Sequence, residues 1–230
     1  MPRRSFIHDY FQAGVVAVII ALFVRTYLVQ AFQIPSPSMT ESILVGDHVL
    51  VNKFIFGPFM SLAGRDLLPV ADVKRKDIIV FKFPQPPAKD YVKRVIGEPG
   101  DTVKIENGKV FIKKPLASDF VLLDAPYVQH TDPAGAPDPE LLNTRPPVLV
   151  PYGQYYVLGD NRDDSRDSRD WGCVPQDYIR GKVLLVYWSV DPAPPPPADA
   201  APVGLLKAIW QSAAATFGRT RWDRTFHIIR

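Results

Sequence analysis

The strongest constraint on this chain is an apolar run near its N-terminus. Residues 11–32 are almost wholly apolar, and 14–24 contain no polar side chain. As an α-helix these 22 residues would extend about 33 Å, which is enough to cross the hydrocarbon core of a bilayer. Arg25 is the only charged residue in the run, and its long side chain can extend to the interface. The run predicts a transmembrane anchor over residues 11–32.

The flanking charges predict the orientation of this anchor. Arg3 and Arg4 precede the run, and after Arg25 the next basic residue is Lys53. Because basic residues are retained on the cytoplasmic side, we expect residues 1–10 in the cytoplasm and the rest of the chain outside. A cleaved signal peptide is the alternative, with residues 29–31 as the cleavage site, but Arg25 and the length of the run favour a retained anchor. A buried core helix is a third and weaker option.

The body of the chain has the sequence pattern of short strands. The segments rich in β-branched and aromatic residues are 47–52, 77–83, 90–96, 102–106, 109–112, 154–158 and 182–190. Asn107 and Gly108 form a two-residue hairpin signal between two of them. Residues 115–150 read as irregular, with 132–139 a clear loop. Strands joined by turns, with no alternating helices, predict a mostly β, antiparallel domain over residues 33–190.

The C-terminal region, residues 191–230, has a different composition. Residues 191–197 are rich in proline, which predicts a stiff extended linker. The tail from residue 203 can form an amphipathic helix followed by a basic segment. Two interpretations remain open for it: a helix packed on the domain, and contact with the membrane surface.

Composition excludes several classes of protein. The formal net charge is only +3, so nucleic-acid binding has little support. A single cysteine, Cys173, rules out an intramolecular disulfide. The four histidines are scattered along the chain without metal-ligand spacing, so no metal site is predicted.

Two serines follow the anchor in a rigid setting. Ser36 and Ser38 alternate with Pro35 and Pro37, and each proline fixes its own φ angle and favours an extended conformation before it. Such a backbone can hold a hydroxyl at a fixed angle. A serine becomes a nucleophile only when a neighbouring base takes its proton, so a base is needed elsewhere in the chain.

Two other stretches could supply that base. On a strand, Lys93 and Arg94 point to opposite faces, and the pattern alone favours a solvent-exposed lysine, since buried lysines are rare. Residues 159–172 are dense in Asp and Arg, which is typical of a solvated polar loop or a calcium loop. The calcium interpretation fails because Ser165 and Trp171 stand where an EF-hand needs glycine and glutamate. What remains is a network that could fix a loop rigidly.

Together these segments resemble the bacterial type I signal peptidases, a family of serine endopeptidases with a Ser/Lys dyad. The resemblance rests on three segments in the family's order after a membrane span: residues 34–39, 91–97 and 159–169. It covers roughly residues 24–190 and implies a mostly antiparallel β fold with a small inserted β subdomain, here about 104–152. Pro37 and Asp164 depart from the commonest family pattern without changing the catalytic groups. The second span and the cysteine pair of some members are absent.

The resemblance implies a role for each matching residue. Ser38 would be the nucleophile and Lys93 the neutral general base. Ser36 and the backbone N–H of Ser38 would form the oxyanion hole, and Ser165 would orient the lysine. The residues implied to shape the site are Arg94, Asp160, Asn161, Arg162, Asp167 and Arg169. No cofactor or metal is implied.

The implied function is removal of signal peptides with small residues before the cut from exported preproteins. The implied location is a single-pass protein of the bacterial inner membrane, with the bilayer as a partner and with a monomer expected. Ile34 and Val80 are weaker candidates for the lining of the substrate pockets. A non-catalytic, membrane-anchored secretion accessory and a Ser/Lys protease with one dedicated substrate are the alternatives.

Overall fold

An exposed apolar helix begins the structure, which is a computed structural model describing residues 6–53, 73–83, 89–128, 145–192 and 214–229. Helix α1 (Phe6–Phe23) continues into one π-helical turn, Val24–Leu28. The stretch Asp9–Leu28 is 20 residues long, has a mean hydropathy of 1.9 and is not buried against the rest of the chain. Its length and composition fit the predicted transmembrane anchor.

The helical segment ends at Leu28, four residues before the predicted C-terminal boundary of the anchor at Phe32. Strand β1 (Val29–Gln33) follows at once and pairs antiparallel with β2 (Asp47–Asn52). The residues of β1 are apolar enough to extend the hydropathy run, but in the sheet Phe32 packs against the buried core. The apolar helix therefore passes directly into the sheet without a linker.

Two antiparallel sheets make up the body of the molecule. The remaining strands, in chain order, are β3 (Ile78–Lys82), β4 (Asp90–Gly97), β5 (Thr102–Glu106), β6 (Lys109–Lys113), β7 (Val121–Leu122), β8 (Arg145–Leu149), β9 (Gln154–Leu158), β10 (Val174–Pro175), β11 (Ile179–Ser189) and β12 (His227–Ile228). The larger sheet has the order β1-β2-β11-β3-β4-β9-β10, with β12 paired to β11. The smaller sheet has the order β7-β6-β5-β8. The mostly β, antiparallel fold is therefore confirmed.

The smaller sheet is inserted between β4 and β9 of the larger one. A shared core joins the two sheets, and its members are Ile96, Val103, Ile105, Val110, Ile112, Val150, Tyr156 and Leu158. Asn107 and Gly108 both have positive φ angles, 50° and 71°, as a two-residue hairpin turn requires. The insertion occupies about the range that was expected from the resemblance.

Two strands of this insertion, β7 and β8, escaped the sequence-based prediction. Residues 145–149 were read as irregular, partly because Pro146 and Pro147 cannot donate to a β-ladder. They form β8, which lies at the edge of the smaller sheet. An edge strand tolerates proline because one side of it has no partner strand.

The C-terminal segment packs on the domain over the residues that the structure describes. A helical stretch at 214–218 leads to β12, which pairs with β11. Arg221 and Arg224 each form an ion pair with the fully buried Asp47, at 3.2 and 2.8 Å. Residues 214–229 thus pack on the domain, as the first of the two interpretations of the tail expects. The Pro-rich linker beyond Pro192 and the 132–139 loop lie outside the described residues.

Candidate active site

Ser38 lies in a single turn of 3-10 helix, Pro37–Met39, that is held from both sides. Pro37 occupies the first helical position, where its missing N–H has no cost, and Ser36 before it is extended, at φ −130° and ψ 151°. Ile34 and Met39 flank the two serines and are buried in the same core cluster. Anchored apolar residues on either side fix the backbone that carries the Ser38 hydroxyl.

The structure brings Lys93 onto this hydroxyl. Lys93 lies on β4, and its Nζ is 2.5 Å from Ser38 Oγ. The Lys93 side chain is buried, with 2% of its surface exposed, so the solvent-facing lysine favoured by the strand pattern alone is wrong. Among the described residues no carboxylate lies within ion-pair distance of Nζ.

Burial sets the protonation of Lys93. Loss of solvation lowers the pKa of the amine from 10.5 to about 8, because a buried ammonium loses its hydration. The charges of Asp167 and Asp160 oppose this effect, and that of Arg169 adds to it. A large neutral fraction of the amine is therefore present near pH 8, and a neutral amine can accept a proton from Ser38.

Ser36 supplies a second hydroxyl close to the first. Its Oγ is 3.4 Å from Ser38 Oγ, at the long end of the hydrogen-bond range, and either oxygen can be the donor. Ser36 is exposed whereas Ser38 is buried. The two side chains are close enough to contact one reacting group, which is compatible with the oxyanion role expected for Ser36. That role stays a prediction.

The loop after β9 closes against the backbone of the Ser38 turn. Asn161 donates its backbone N–H to the Ser38 carbonyl at 3.2 Å and its side-chain amide to the Pro37 carbonyl at 3.4 Å. Gly159 lies so close that an added Cβ would come within 2.6 Å of the Ser38 carbonyl oxygen and would also overlap Ser165. This glycine was not singled out from the sequence, and only its close packing explains the need for it.

Asp167 is the centre of hydrogen bonding in this loop. It is fully buried and accepts from the Gly159 N–H at 3.0 Å, from Ser165 Oγ at 2.8 Å and from the Arg169 guanidinium at 2.8 Å. The expected pairing of Asp167 with Arg169 is thus present. The Ser165 hydroxyl donates to Asp167, and no hydrogen bond between Ser165 and Lys93 is found in the described part of the chain. Direct orientation of the lysine by Ser165 is therefore not seen in this conformation.

Arg162 and Arg169 hold the backbone of the same loop from inside. Arg162 is buried and donates from Nε to the Gly159 carbonyl at 3.0 Å. Arg169 donates from Nη2 to the Arg162 carbonyl at 2.9 Å and to the Ser165 carbonyl at 3.2 Å. Both arginines donate to backbone carbonyls, and Arg169 also binds the Asp167 carboxylate, which explains how a polar loop can be rigid and partly buried.

A second ion pair lies on the opposite face of β4 from Lys93. Arg94 binds Asp160 with two hydrogen bonds, Nε to Oδ1 at 2.8 Å and Nη2 to Oδ2 at 2.7 Å. Ser42 joins the pair, donating to Asp160 at 2.6 Å and accepting from Arg94 at 2.6 Å. Arg94 Nη1 also donates to the Lys76 carbonyl at 2.7 Å. This bidentate geometry is the strong form of an arginine–carboxylate contact.

The structure does not support Val80 as lining for an open substrate pocket. Ile34 and Val80 both belong to the main core cluster, and Val80 has no exposed surface. The strand pairs Val80 with Val92 and Gly181, so its side chain packs into the interior. Ile34 is also buried, although it lines a cavity of about 360 Å³ that includes His48 and Trp188.

Several residues around the site were missed from the sequence. Ser42, Tyr127 and the pair Arg221 and Arg224 all contact the site network or the segment that follows Ser38. None of them lies in a recognisable motif. The basic tail was considered only for packing or membrane contact. Its ion pairs with Asp47 join residues that are more than 170 positions apart in the sequence, so no local pattern indicates them.

Comparison with known proteins covers the whole of this site. The family model described as signal peptidase, peptidase S26, matches residues 7–188. Signal peptidase I of Pseudomonas fluorescens is 34% identical over 213 residues, which cover 82% of this chain and 75% of that protein. The Pseudomonas aeruginosa signal peptidase I is 33% identical with the same coverage. Signal peptidase I of Aquifex aeolicus is 31% identical over 239 residues, covering 84% of this chain and 88% of that protein.

Proposed function

The chain belongs to the signal peptidase family, peptidase S26, and we propose that it is a membrane-anchored serine endopeptidase with a Ser38–Lys93 dyad. Its substrates are exported preproteins, from which it removes the N-terminal signal peptide. The observation that carries the proposal is the 2.5 Å contact between a nucleophile and a buried amine of lowered pKa. Such a pairing of nucleophile and base is what covalent catalysis by serine requires.

The proposed reaction begins with proton transfer within the dyad. Neutral Lys93 takes the proton from Ser38 Oγ as this oxygen attacks the scissile carbonyl carbon, and the carbonyl oxygen becomes an oxyanion. When the tetrahedral intermediate collapses, the Lys93 ammonium gives the proton to the leaving amine, and an ester to Ser38 remains. Water then attacks the ester with Lys93 again as base, which releases the signal peptide and restores the serine.

The oxyanion needs hydrogen-bond donors that are in place before the reaction. We assign the Ser36 hydroxyl and the Ser38 backbone N–H to this task. The extended backbone of Ser36 and the proline-fixed turn after it hold both groups. Loss of one such donor in comparable sites costs about 3–4 kcal/mol of transition-state stabilisation.

The anchor places this chemistry at the membrane where signal peptides lie. α1 and the turn after it would span the bilayer with the N-terminus in the cytoplasm, as expected from Arg3 and Arg4. The sheet begins directly after Leu28, so the catalytic domain would sit against the outer surface. Protease added to spheroplasts should cut the domain, and protection there with cleavage in inverted vesicles would reverse the orientation.

Processing of a preprotein tests the proposed function. Wild-type protein in detergent should cleave a preprotein that has alanine at the first and third positions before the cut, and Ser38→Ala should not. The same preprotein with phenylalanine at either position should remain uncut. Cleavage by Ser38→Ala would refute the dyad, and equal rates for alanine and phenylalanine would refute the substrate class. Parallel assays on several preproteins distinguish a general peptidase from one with a dedicated substrate.

A further inference from the structure

Tyr127, a residue of the inserted subdomain, covers the face of a buried arginine behind the dyad. The guanidinium carbon of Arg94 lies 3.9 Å from the centre of the Tyr127 ring. The edges of this guanidinium are already committed, because Nε, Nη1 and Nη2 donate to Asp160, Lys76 and Ser42. The flat face of the Arg94 guanidinium remains available for contact with the Tyr127 ring. An arginine over an aromatic face is a favourable cation–π contact.

The aromatic ring of Tyr127, and not its hydroxyl, accounts for a tyrosine at this position of the chain. Its Oη is buried and has no hydrogen-bond partner within the described residues. A buried hydroxyl without a partner is unfavourable, so it gives no reason for a tyrosine here. Burial also raises the pKa of this phenol, which therefore stays neutral and adds no charge to the arginine network.

A large cavity opens beside the Tyr127 ring. Tyr127 and Arg94 line it together with Ser42 and residues 223–229, and its volume is about 810 Å³. Arg94 nevertheless retains only 1% of its surface exposed. The aromatic ring is well placed to keep the water of this cavity away from the guanidinium and from its carboxylate partner.

The Arg94–Asp160 pair is connected to both members of the dyad. Arg94 is the chain neighbour of Lys93 on β4, and Asp160 precedes Asn161, whose backbone N–H binds the Ser38 carbonyl. Water that entered at this pair would loosen the loop that holds Ser38. A looser loop would in turn let water reach Lys93 on the other face of β4, because this loop carries the charges that act on its amine.

We propose that Tyr127 is a positioning residue for the reaction, with its ring shielding the Arg94–Asp160 pair from cavity water and so keeping the environment of Lys93 dry. The inference rests on the proposed Ser38–Lys93 mechanism and adds to it a role for the inserted subdomain. Tyr127 touches neither the substrate carbonyl nor the dyad. Its effect passes through the arginine and the loop.

The expected signature is a displaced pH profile. The groups that act electrostatically on Lys93 are Asp160, Asp164, Asp167 and Arg169, all from the 159–172 loop, and on its own strand the Tyr91 ring lies 5.9 Å from Nζ. None of these charged groups is removed in a Tyr127 variant. Easier hydration of Lys93 raises the pKa of the amine towards that of a free lysine. The rising limb of kcat/KM, which reports the free enzyme, moves to higher pH.

The test compares Tyr127→Leu, which loses the ring, with Tyr127→Phe, which keeps it. We expect the rising limb of Tyr127→Leu to lie about 1 pH unit higher than in wild type, with roughly tenfold lower kcat/KM below both limbs. Most of the loss should be in kcat. Tyr127→Phe should follow the wild-type profile, as should Tyr152→Leu, a matched control at an exposed tyrosine outside the cavity.

Each rate is divided by the folded fraction at that pH, measured by circular dichroism, so that partial unfolding of Tyr127→Leu does not displace the limb. A wild-type limb in Tyr127→Leu would overturn the inference, and so would a Tyr127→Phe limb displaced as far as that of Tyr127→Leu. Ser38→Ala measured alongside separates the two proposals. An active Ser38→Ala would refute the dyad, whereas an inactive Ser38→Ala with a wild-type Tyr127→Leu profile would refute only the role of Tyr127.

Discussion

Lys93 and Arg94 are neighbours on β4, and their side chains point to opposite faces of the strand. The two faces offer these cations different partners. Both side chains are buried, with 2% and 1% of their surfaces exposed. Arg94 faces Asp160 and has hydrogen-bond partners on all three of its nitrogens. Lys93 faces Ser38, and in the described part of the chain its contact at hydrogen-bond distance is that hydroxyl.

The comparison teaches that burial alone does not decide the state of a cation. A guanidinium does not deprotonate in the accessible pH range, and a bidentate carboxylate replaces the water that it loses on burial. A buried amine without such a partner loses part of its affinity for the proton, and the pKa of Lys93 is lowered to about 8. One strand thus carries a structural cation on one face and a base on the other.

The largest effect is expected when the proposed base is replaced by a permanent cation, as in Lys93→Arg. A guanidinium does not deprotonate in the accessible pH range, so Lys93→Arg should lose about 10²–10⁴-fold in kcat, the usual contribution of a general base. The measurement is preprotein processing by folded protein, checked by circular dichroism. If Lys93→Arg were active, Lys93 would be a structural cation like Arg94.

Removal of the structural cation should act on stability first. Arg94→Met leaves the buried Asp160 carboxylate without its partner, and we expect the free energy of unfolding to fall by about 3–5 kcal/mol in urea titrations. Breaking the half-buried surface pair of Lys104 and Glu106, which are 2.8 Å apart, should cost at most about 1 kcal/mol. Similar losses at the two sites would contradict the account of the buried pair.

Removal of the buried Lys93 amine should change the free energy of unfolding in the opposite direction, towards higher stability. Between pH 8 and 10.5 the unfolded chain binds more protons at Lys93 than the folded chain does, so this residue lowers stability at neutral pH and the loss disappears as the pH rises. Lys93→Met should therefore be more stable than wild type by about 3 kcal/mol at pH 7 and by little above pH 10.5. A less stable Lys93→Met at neutral pH would argue against a depressed pKa.

Ser165→Ala sharpens the comparison with the smallest effect. The hydroxyl donates to Asp167, and the charge of that carboxylate raises the pKa of Lys93. Loss of one hydrogen bond to a charged group lowers the free energy of unfolding by about 1.5–3 kcal/mol. Both catalytic groups remain in this variant. Activity should fall between those of wild type and Lys93→Arg, and a completely inactive but folded Ser165→Ala would assign the hydroxyl a larger role.

The sequence predicted the strands better than the surroundings of the site. Residues 47–52, 102–106 and 154–158 form strands with the predicted bounds, because alternation and turn residues are local signals. β1 was hidden in the apolar run, since a strand that follows a membrane helix shares its hydropathy. The two prolines of β8 concealed an edge strand.

The site itself could be predicted only where residues fall into compact motifs. Ser38 and Lys93 were found through the resemblance, while the strand pattern of Lys93 alone pointed the wrong way. Asp47 with its arginines, and Tyr127 over Arg94, join segments that are distant in sequence. No periodicity or spacing encodes such contacts, because they depend on how the two sheets and the tail pack together.

The most direct test of the Ser38–Lys93 dyad is the dependence of wild-type kcat/KM on pH, measured with one preprotein in detergent. If neutral Lys93 is the base, the rate should rise with an apparent pKa near 8, since this profile reports the free enzyme. A limb close to 10.4, the value of a free lysine, would contradict the depressed pKa, and one close to 6.5 would indicate a histidine as the base.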